Sequence, residues 1–89
     1  MKRVFLEVTY RRGRPFAAYL YLGRAPGERV ASTTEARPGV LVDYGAEGQA
    51  MGVEIVHPGA TRLATVREVL EAIGWGAVPA AELTPLRAA

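Results

Sequence analysis

Residues 39–56, GVLVDYGAEGQAMGVEIV, constrain the fold more than any other stretch of the sequence. The apolar residues of its two halves fall on opposite parities: Val40, Val42 and Tyr44 in the first half, and Met51, Val53 and Ile55 in the second. Both sets face one core only if an even number of residues connects them, because a shift of one residue turns a strand over. A four-residue loop, 45–48, with Gly48 in the left-handed conformation meets this condition. The stretch therefore predicts an antiparallel hairpin.

Patterns elsewhere in the chain predict further strands and a helix. Alternation and turn residues place strands at about 2–10, 15–22, 28–35, 39–44 and 49–56. Val66, Val69, Leu70 and Ile73 follow helical spacing, which predicts a helix over about 66–73 and a short helical turn over about 79–83. The helix is predicted to begin with a capping box formed by Thr65 and Glu68. It is predicted to end at Gly74, with Trp75 folded back on Leu70. We expect residues 84–89 to fray.

These elements predict a single α+β domain of 89 residues. The sheet is an antiparallel β-meander of four to five strands, packed on one face by the C-terminal helix. Strand 28–35 is weakly hydrophobic and is expected at an edge. A chain of this length suffices for one core and not for a second.

Composition narrows the classes of function. The sequence has no cysteine and one histidine, His57, so disulfides, thiolate chemistry and zinc–thiolate sites are excluded. No apolar run approaches the ~18 residues of a membrane span, and the first residues lack a signal-peptide pattern. We therefore expect a cytoplasmic protein without cofactor, metal or membrane contact.

Segments of this hairpin and of the strand before it carry a family resemblance. AAYLYL (residues 17–22), GVLVDY (39–44), Gly48 and GVEI (52–55) resemble the domain-of-unknown-function family 2283, which comprises small prokaryotic proteins. The resemblance covers roughly residues 15–56. The chain departs from the family pattern at Ala18, at Gly45-Ala46 and at His57-Pro58-Gly59, where the family carries other residues. The resemblance supports the fold and implies no catalytic residue.

Asp43 and Glu54 are the candidates for a pair of catalytic carboxylates, with His57 as a general base. The four-residue loop would pair Val42 with Met51 and place the two acids at opposite ends of the hairpin. Four strand positions at ~3.3 Å each would separate them by more than 10 Å, beyond the spacing of paired carboxylates in glycosidases. We expect Asp43 to accept hydrogen bonds from turn amides and Glu54 to be solvated or paired with arginine, so we predict no enzyme.

An apolar surface on the sheet is the favoured functional feature. Phe5, Tyr19, Tyr21 and Leu41 fall on the face opposite the aliphatic core, which one helix cannot cover. Such a patch usually meets a partner, and the simplest partner is a second copy related by a twofold axis. We therefore expect a self-associating interaction or regulatory module, most simply a dimer. In the alternative, the tail over 77–86 crosses to this face and buries it.

Basic residues favour a second class of partner. Residues 1–30 hold seven basic against two acidic side chains, so this part of the chain is positively charged. Arg11, Arg12 and Arg14 lie at the tip of the first hairpin, whereas Lys2, Arg3, Arg24 and Arg29 lie near its other end. The alternative function is therefore nucleic-acid binding by the 11–14 loop together with the Tyr19 and Tyr21 face.

Overall fold

The computed structural model of the chain describes residues 4–23 and 27–87. Five strands form one antiparallel sheet in the order β1-β2-β5-β4-β3, which confirms the predicted α+β meander. The strands are β1 (Val4–Arg11), β2 (Arg14–Leu22), β3 (Ser32–Arg37), β4 (Val40–Tyr44) and β5 (Ala50–Ile55). Strand β3 begins later than predicted and lies at one edge, with most of its residues exposed. Lys2, Arg3 and Arg24 fall outside the described residues.

Two helices follow the sheet: α1 (Leu63–Ala72) and α2 (Thr84–Arg87), with short 3-10 turns at Pro58–Ala60 and Ala80–Leu83. The predicted capping box is wrong, because α1 begins before Thr65 and its N-cap is Arg62, which makes no side-chain cap. The predicted end is right: Gly74 has a φ of 85°, and the Trp75 amide donates to the Leu70 carbonyl at 2.7 Å. This bond across the last turn satisfies a carbonyl that the helix leaves open.

The core is one cluster of buried residues from the sheet, α1 and the C-terminal segment. Two rows of aliphatic side chains cross the three central strands: Ala18, Ile55 and Val40 form one row, and Leu20, Val53 and Val42 form the other. Val66, Val69 and Leu70 of α1 are buried against these rows, as their helical spacing predicts. Trp75 packs against the same core.

The β4–β5 hairpin pairs with a register that differs from the prediction by two residues. Val42 lies opposite Val53 instead of Met51, and Tyr44 lies opposite Ala50. The reason is a longer connection: the loop has five residues, 45–49, and Met51 is an extra residue where the register shifts. A displacement of two leaves each side chain on its predicted face, which is why the core prediction survives. Gly48 has the expected positive φ of 81°.

The C-terminal segment packs on the core side of the sheet. Val78, Leu83 and Leu86 are buried in the same cluster as α1. The prediction that the chain frays from residue 84 is therefore wrong for residues 84–87, which form α2. Leu86 anchors this helix in the core. The alternative in which the tail covers the tyrosine face is wrong as well, since its apolar residues are used on the opposite face.

The β1–β2 hairpin extends beyond the rest of the sheet. Strand β5 pairs with β2 only from Ala18 to Tyr21, so the outer part of the hairpin is a two-stranded ribbon. Phe16, which parity predicts on the core face, is 50% exposed, because it lies on this ribbon beside a register shift. Arg12 and Gly13 turn the chain with φ values of 53° and 77°. Positive φ at both central residues is the type I′ geometry of tight hairpins.

Replacing Arg12 with asparagine is expected to stabilise the fold. Asparagine tolerates the left-handed conformation better than arginine, so Arg12→Asn should raise the free energy of unfolding by about 0.5–1 kcal/mol. Urea unfolding at one protein concentration measures the change. Arg14→Asn is the control, because it removes the same charge from a strand position. Equal stabilisation by both variants would show that charge, and not backbone conformation, is responsible.

Candidate functional site

The face of the sheet opposite α1 carries the predicted interface residues, and we call it the open face. The strand register confirms that Phe5, Tyr19, Tyr21 and Leu41 all lie on it, since each alternates with a core residue. No described helix packs on this face: the buried residues of α1 and of the C-terminal segment all join the core cluster on the other side. The described helices therefore leave the open face uncovered.

Three aromatic rings form a cluster at the β1–β2 side of the open face. The rings of Phe5 and Tyr21 stack with centroids 4.3 Å apart and an interplanar angle of 17°. Tyr19 and Tyr21 lie 4.7 Å apart and are tilted by 59°. Tyr21 also donates to Glu7 Oε1 at 3.3 Å. The tyrosines are part-buried by one another, whereas Phe5 at the outer strand stays 46% exposed.

Asp43 is held by two side-chain hydroxyls and not by the turn amides that were expected. The Tyr19 hydroxyl donates to its Oδ2 at 2.6 Å, and the Thr33 hydroxyl donates to its Oδ1 at 2.6 Å. Tyr19 lies on β2, Thr33 on β3 and Asp43 on β4. Because β5 lies between β2 and β4, the carboxylate joins strands that are not neighbours and thereby braces the sheet.

Tyr19 reaches Asp43 by crossing over Gly52 of β5. A Cβ atom at Gly52 would overlap the hydroxyl and ring carbons of Tyr19. Glycine in a strand interior often marks such a close approach, and an aromatic ring laid over it covers the exposed backbone. Local sequence patterns do not identify this contact, because Tyr19 and Gly52 lie 33 residues apart in the chain.

Asp43 and Glu54 lie closer together than predicted. Asp43 is opposite Gly52, and Glu54 is two residues further along β5, opposite Leu41. Diagonal neighbours of this kind are about 7–8 Å apart along the backbone, less than the separation of more than 10 Å predicted for the two acids. The predicted separation is therefore wrong, because the register of the β4–β5 hairpin differs by two residues.

Asp43 is engaged by contacts within the fold. Both oxygens of Asp43 accept hydrogen bonds within the fold, and Tyr19 lies over the glycine between the two acids. His57 is exposed and lies beyond the end of β5, three residues after Glu54 and five after Gly52. Among residues 4–23 and 27–87, no three histidine, aspartate or glutamate side chains are grouped to hold a metal ion.

The arginines of the first hairpin gather at its tip, away from the tyrosines. Arg11, Arg12 and Arg14 line an open depression of about 720 Å³ with Pro15 and Phe16. Five strand residues, ~16 Å, separate Arg14 from Tyr19. The structure therefore does not unite the two halves of the predicted nucleic-acid surface. The open face carries four acidic residues, whose negative charge repels a phosphate backbone: Glu7, Glu35, Asp43 and Glu54.

Strands β2 to β5, which carry Tyr19, Gly52 and Asp43, also carry the family signal. Residues 17–57 match the family DUF2283. The family is described as protein of unknown function, and the match confirms the resemblance seen in the sequence. The DUF2283 region runs from β2 through β5 and leaves β1, α1 and α2 outside it. Comparisons with curated proteins and with solved structures give no match. Within the described residues, no helix has the length and apolarity to cross a membrane.

Removing the Tyr19 hydroxyl is expected to destabilise the fold. Tyr19→Phe takes one of two donors from the Asp43 carboxylate, and a hydrogen bond to a charged group contributes about 1.5–3 kcal/mol. Tyr21→Phe is the matched control, because its bond to Glu7 is exposed and long at 3.3 Å. Urea unfolding should show a clear loss for the first variant and little for the second. Equal losses would contradict a bracing role for Asp43.

A side chain at position 52 is expected to conflict with Tyr19. Gly52→Ala should destabilise by about 1–3 kcal/mol, the usual cost of overpacking. The same change in a Tyr19→Ala background should cost much less, because the overlapping ring is gone. A double-mutant cycle measures this coupling. Additive effects would show that Tyr19 does not limit the space at Gly52.

Proposed function

We propose that the protein is a non-enzymatic cytoplasmic module that self-associates, and that two copies pair through the edge strand β1. The observation that carries the proposal is the incomplete burial of β1 on both of its faces. Val4, Leu6 and Val8 are only part-buried on the core side, and Phe5 is 46% exposed on the open face. A long apolar strand at the edge of a sheet is a template for pairing with another chain.

The charges of the open face favour edge pairing over face-to-face packing. Glu7, Glu35, Asp43 and Glu54 share this face with the aromatic cluster. Two such faces packed together would bury like charges opposite each other, which is costly without cations between them. Pairing at β1 leaves these carboxylates in water and still covers Phe5.

The two edges of the sheet differ in how well they suit association. Strand β3 has the sequence STTEAR and exposes polar side chains. Strand β1 has the sequence VFLEVTYR, in which apolar residues alternate on the core side. Burial of such residues provides the free energy that hydrogen bonds at an edge do not provide alone. Edge β1 is therefore the favoured site.

A twofold axis at Leu6 gives the best register for two β1 strands. The shift at Thr9/Tyr10 confines the regular edge to the first half of the strand. An axis at Glu7 would place two carboxylates directly opposite each other, which is destabilising. An axis at Leu6 instead pairs Leu6 with its copy and Val4 with Val8, and extends the core stripe across the dimer.

Solution mass by light scattering tests the proposal. The native chain should be a dimer, and Phe5→Glu should give a folded monomer because it places a carboxylate opposite Glu7 of the second copy. Leu41→Lys is the control: it also adds a charge to the open face, but at β4, three strands from β1. A native monomer would overturn self-association. Loss of the dimer in both variants would indicate face-to-face packing instead.

Disulfide trapping tests the register, because the sequence contains no cysteine. Leu6→Cys should oxidise to a covalent dimer, since the two introduced thiols would lie opposite each other. Val8→Cys lies on the same strand and face but would meet Val4 of the second copy, so it should trap poorly. Equal trapping at both positions, or at neither, would contradict an axis at Leu6.

A further inference from the structure

The tip of the β1–β2 ribbon is a basic surface that the self-association proposal does not use. Residues 8–18, VTYRRGRPFAA, contain three arginines and no acidic residue. Because the ribbon extends past β5, its tip is accessible without any change in the rest of the fold. Edge pairing over residues 4–8 would leave it exposed.

Two of the arginines at the tip have unused guanidinium groups. In the described part of the chain, the Arg12 and Arg14 side chains make no hydrogen bond or ion pair. Arg12 adopts a φ of 53°, a conformation that disfavours arginine. Asparagine would suit this turn better, so the geometry alone does not explain a third arginine here.

Aromatic rings flank the arginines. The Arg11 guanidinium lies 5.1 Å from the centroid of the Phe16 ring, which holds it over an aromatic surface. Phe16 is 50% exposed and Tyr10 is 59% exposed. Arginine with exposed aromatic rings is the combination by which proteins bind single-stranded nucleic acid: guanidinium groups contact phosphates, and rings stack on bases.

We propose that the ribbon tip binds single-stranded nucleic acid, with Arg11, Arg12 and Arg14 on the phosphates and Phe16 beneath a base. The depression between them, about 720 Å³, is open at the surface and suits a polymer that passes across it. The acidic open face lies outside this site and directs the strand to the tip. The site is thus smaller than the surface expected from the sequence, and it excludes Tyr19 and Tyr21.

Fluorescence anisotropy with a labelled 20-mer of deoxythymidine tests the site. The native chain should bind at ~50 mM salt and weaken as salt rises, because bound phosphates release counterions. The variant Arg12→Asn/Arg14→Gln should bind at least about tenfold more weakly, and its salt slope should fall by about 0.7 for each arginine removed. Asparagine at position 12 favours the turn, so this loss cannot come from unfolding.

A matched charge control and a ring control complete the experiment. Arg62→Gln/Arg67→Gln removes two arginines near and on α1 and should change the affinity less than about threefold. Phe16→Leu should weaken binding by about fivefold or more through lost stacking, whereas Phe5→Leu should not. Absence of salt-dependent binding, or an equal loss in both double variants, would overturn the proposal. Phe5→Glu leaves the tip intact, so nucleic-acid binding by this variant can be measured independently of dimer formation.

Discussion

Burial of two aliphatic rows across β2, β5 and β4 is the constraint on which the rest of the structure depends. Leu20, Val53 and Val42 lie side by side with no exposed area, in the same buried cluster as the apolar residues of α1. Because these residues face the core, the alternation of side chains along each strand places Tyr19, Gly52 and Asp43 on the opposite face. The brace from Tyr19 to Asp43 forms there because the same register sets Gly52 between them. The core and the open face are thus two consequences of one pairing pattern.

Alternation made most of the fold predictable from the sequence. The core residues of β2, β4 and β5 and the end of α1 at Gly74 followed from spacing alone. The register of the β4–β5 hairpin did not follow from spacing. The longer loop and the extra residue at Met51 displace the pairing by two residues, and a displacement of two leaves every side chain on its predicted face. The start of α1 was missed because Thr65 looks like a cap, although the helix already runs through it.

The candidate site could be predicted only in part, and the limit was pairing between distant segments. The open-face position of Phe5, Tyr19, Tyr21 and Leu41 followed from parity within each strand. The hydrogen-bond partners of Asp43 depend on which strands are neighbours. The sequences of β2 and β5 do not by themselves reveal that these two strands pair. Phe16 shares the parity of the core residues of β2 but is half exposed, and nothing in its own strand reveals where β5 ends. Local patterns therefore located the surfaces, and the topology determined what each surface contacts.

The pairing of β2 with β5 has a consequence for the order in which the chain folds. Strands β1 and β2 form one hairpin, and β3, β4 and β5 form a contiguous meander, so each unit is built from contacts close in sequence. Joining them requires Ala18 to find Ile55 across the intervening meander, the contact with the larger loop-closure entropy. Non-local pairing of this kind slows folding. The seam between β2 and β5 is accordingly the expected rate-limiting contact, and it lies inside the DUF2283 region.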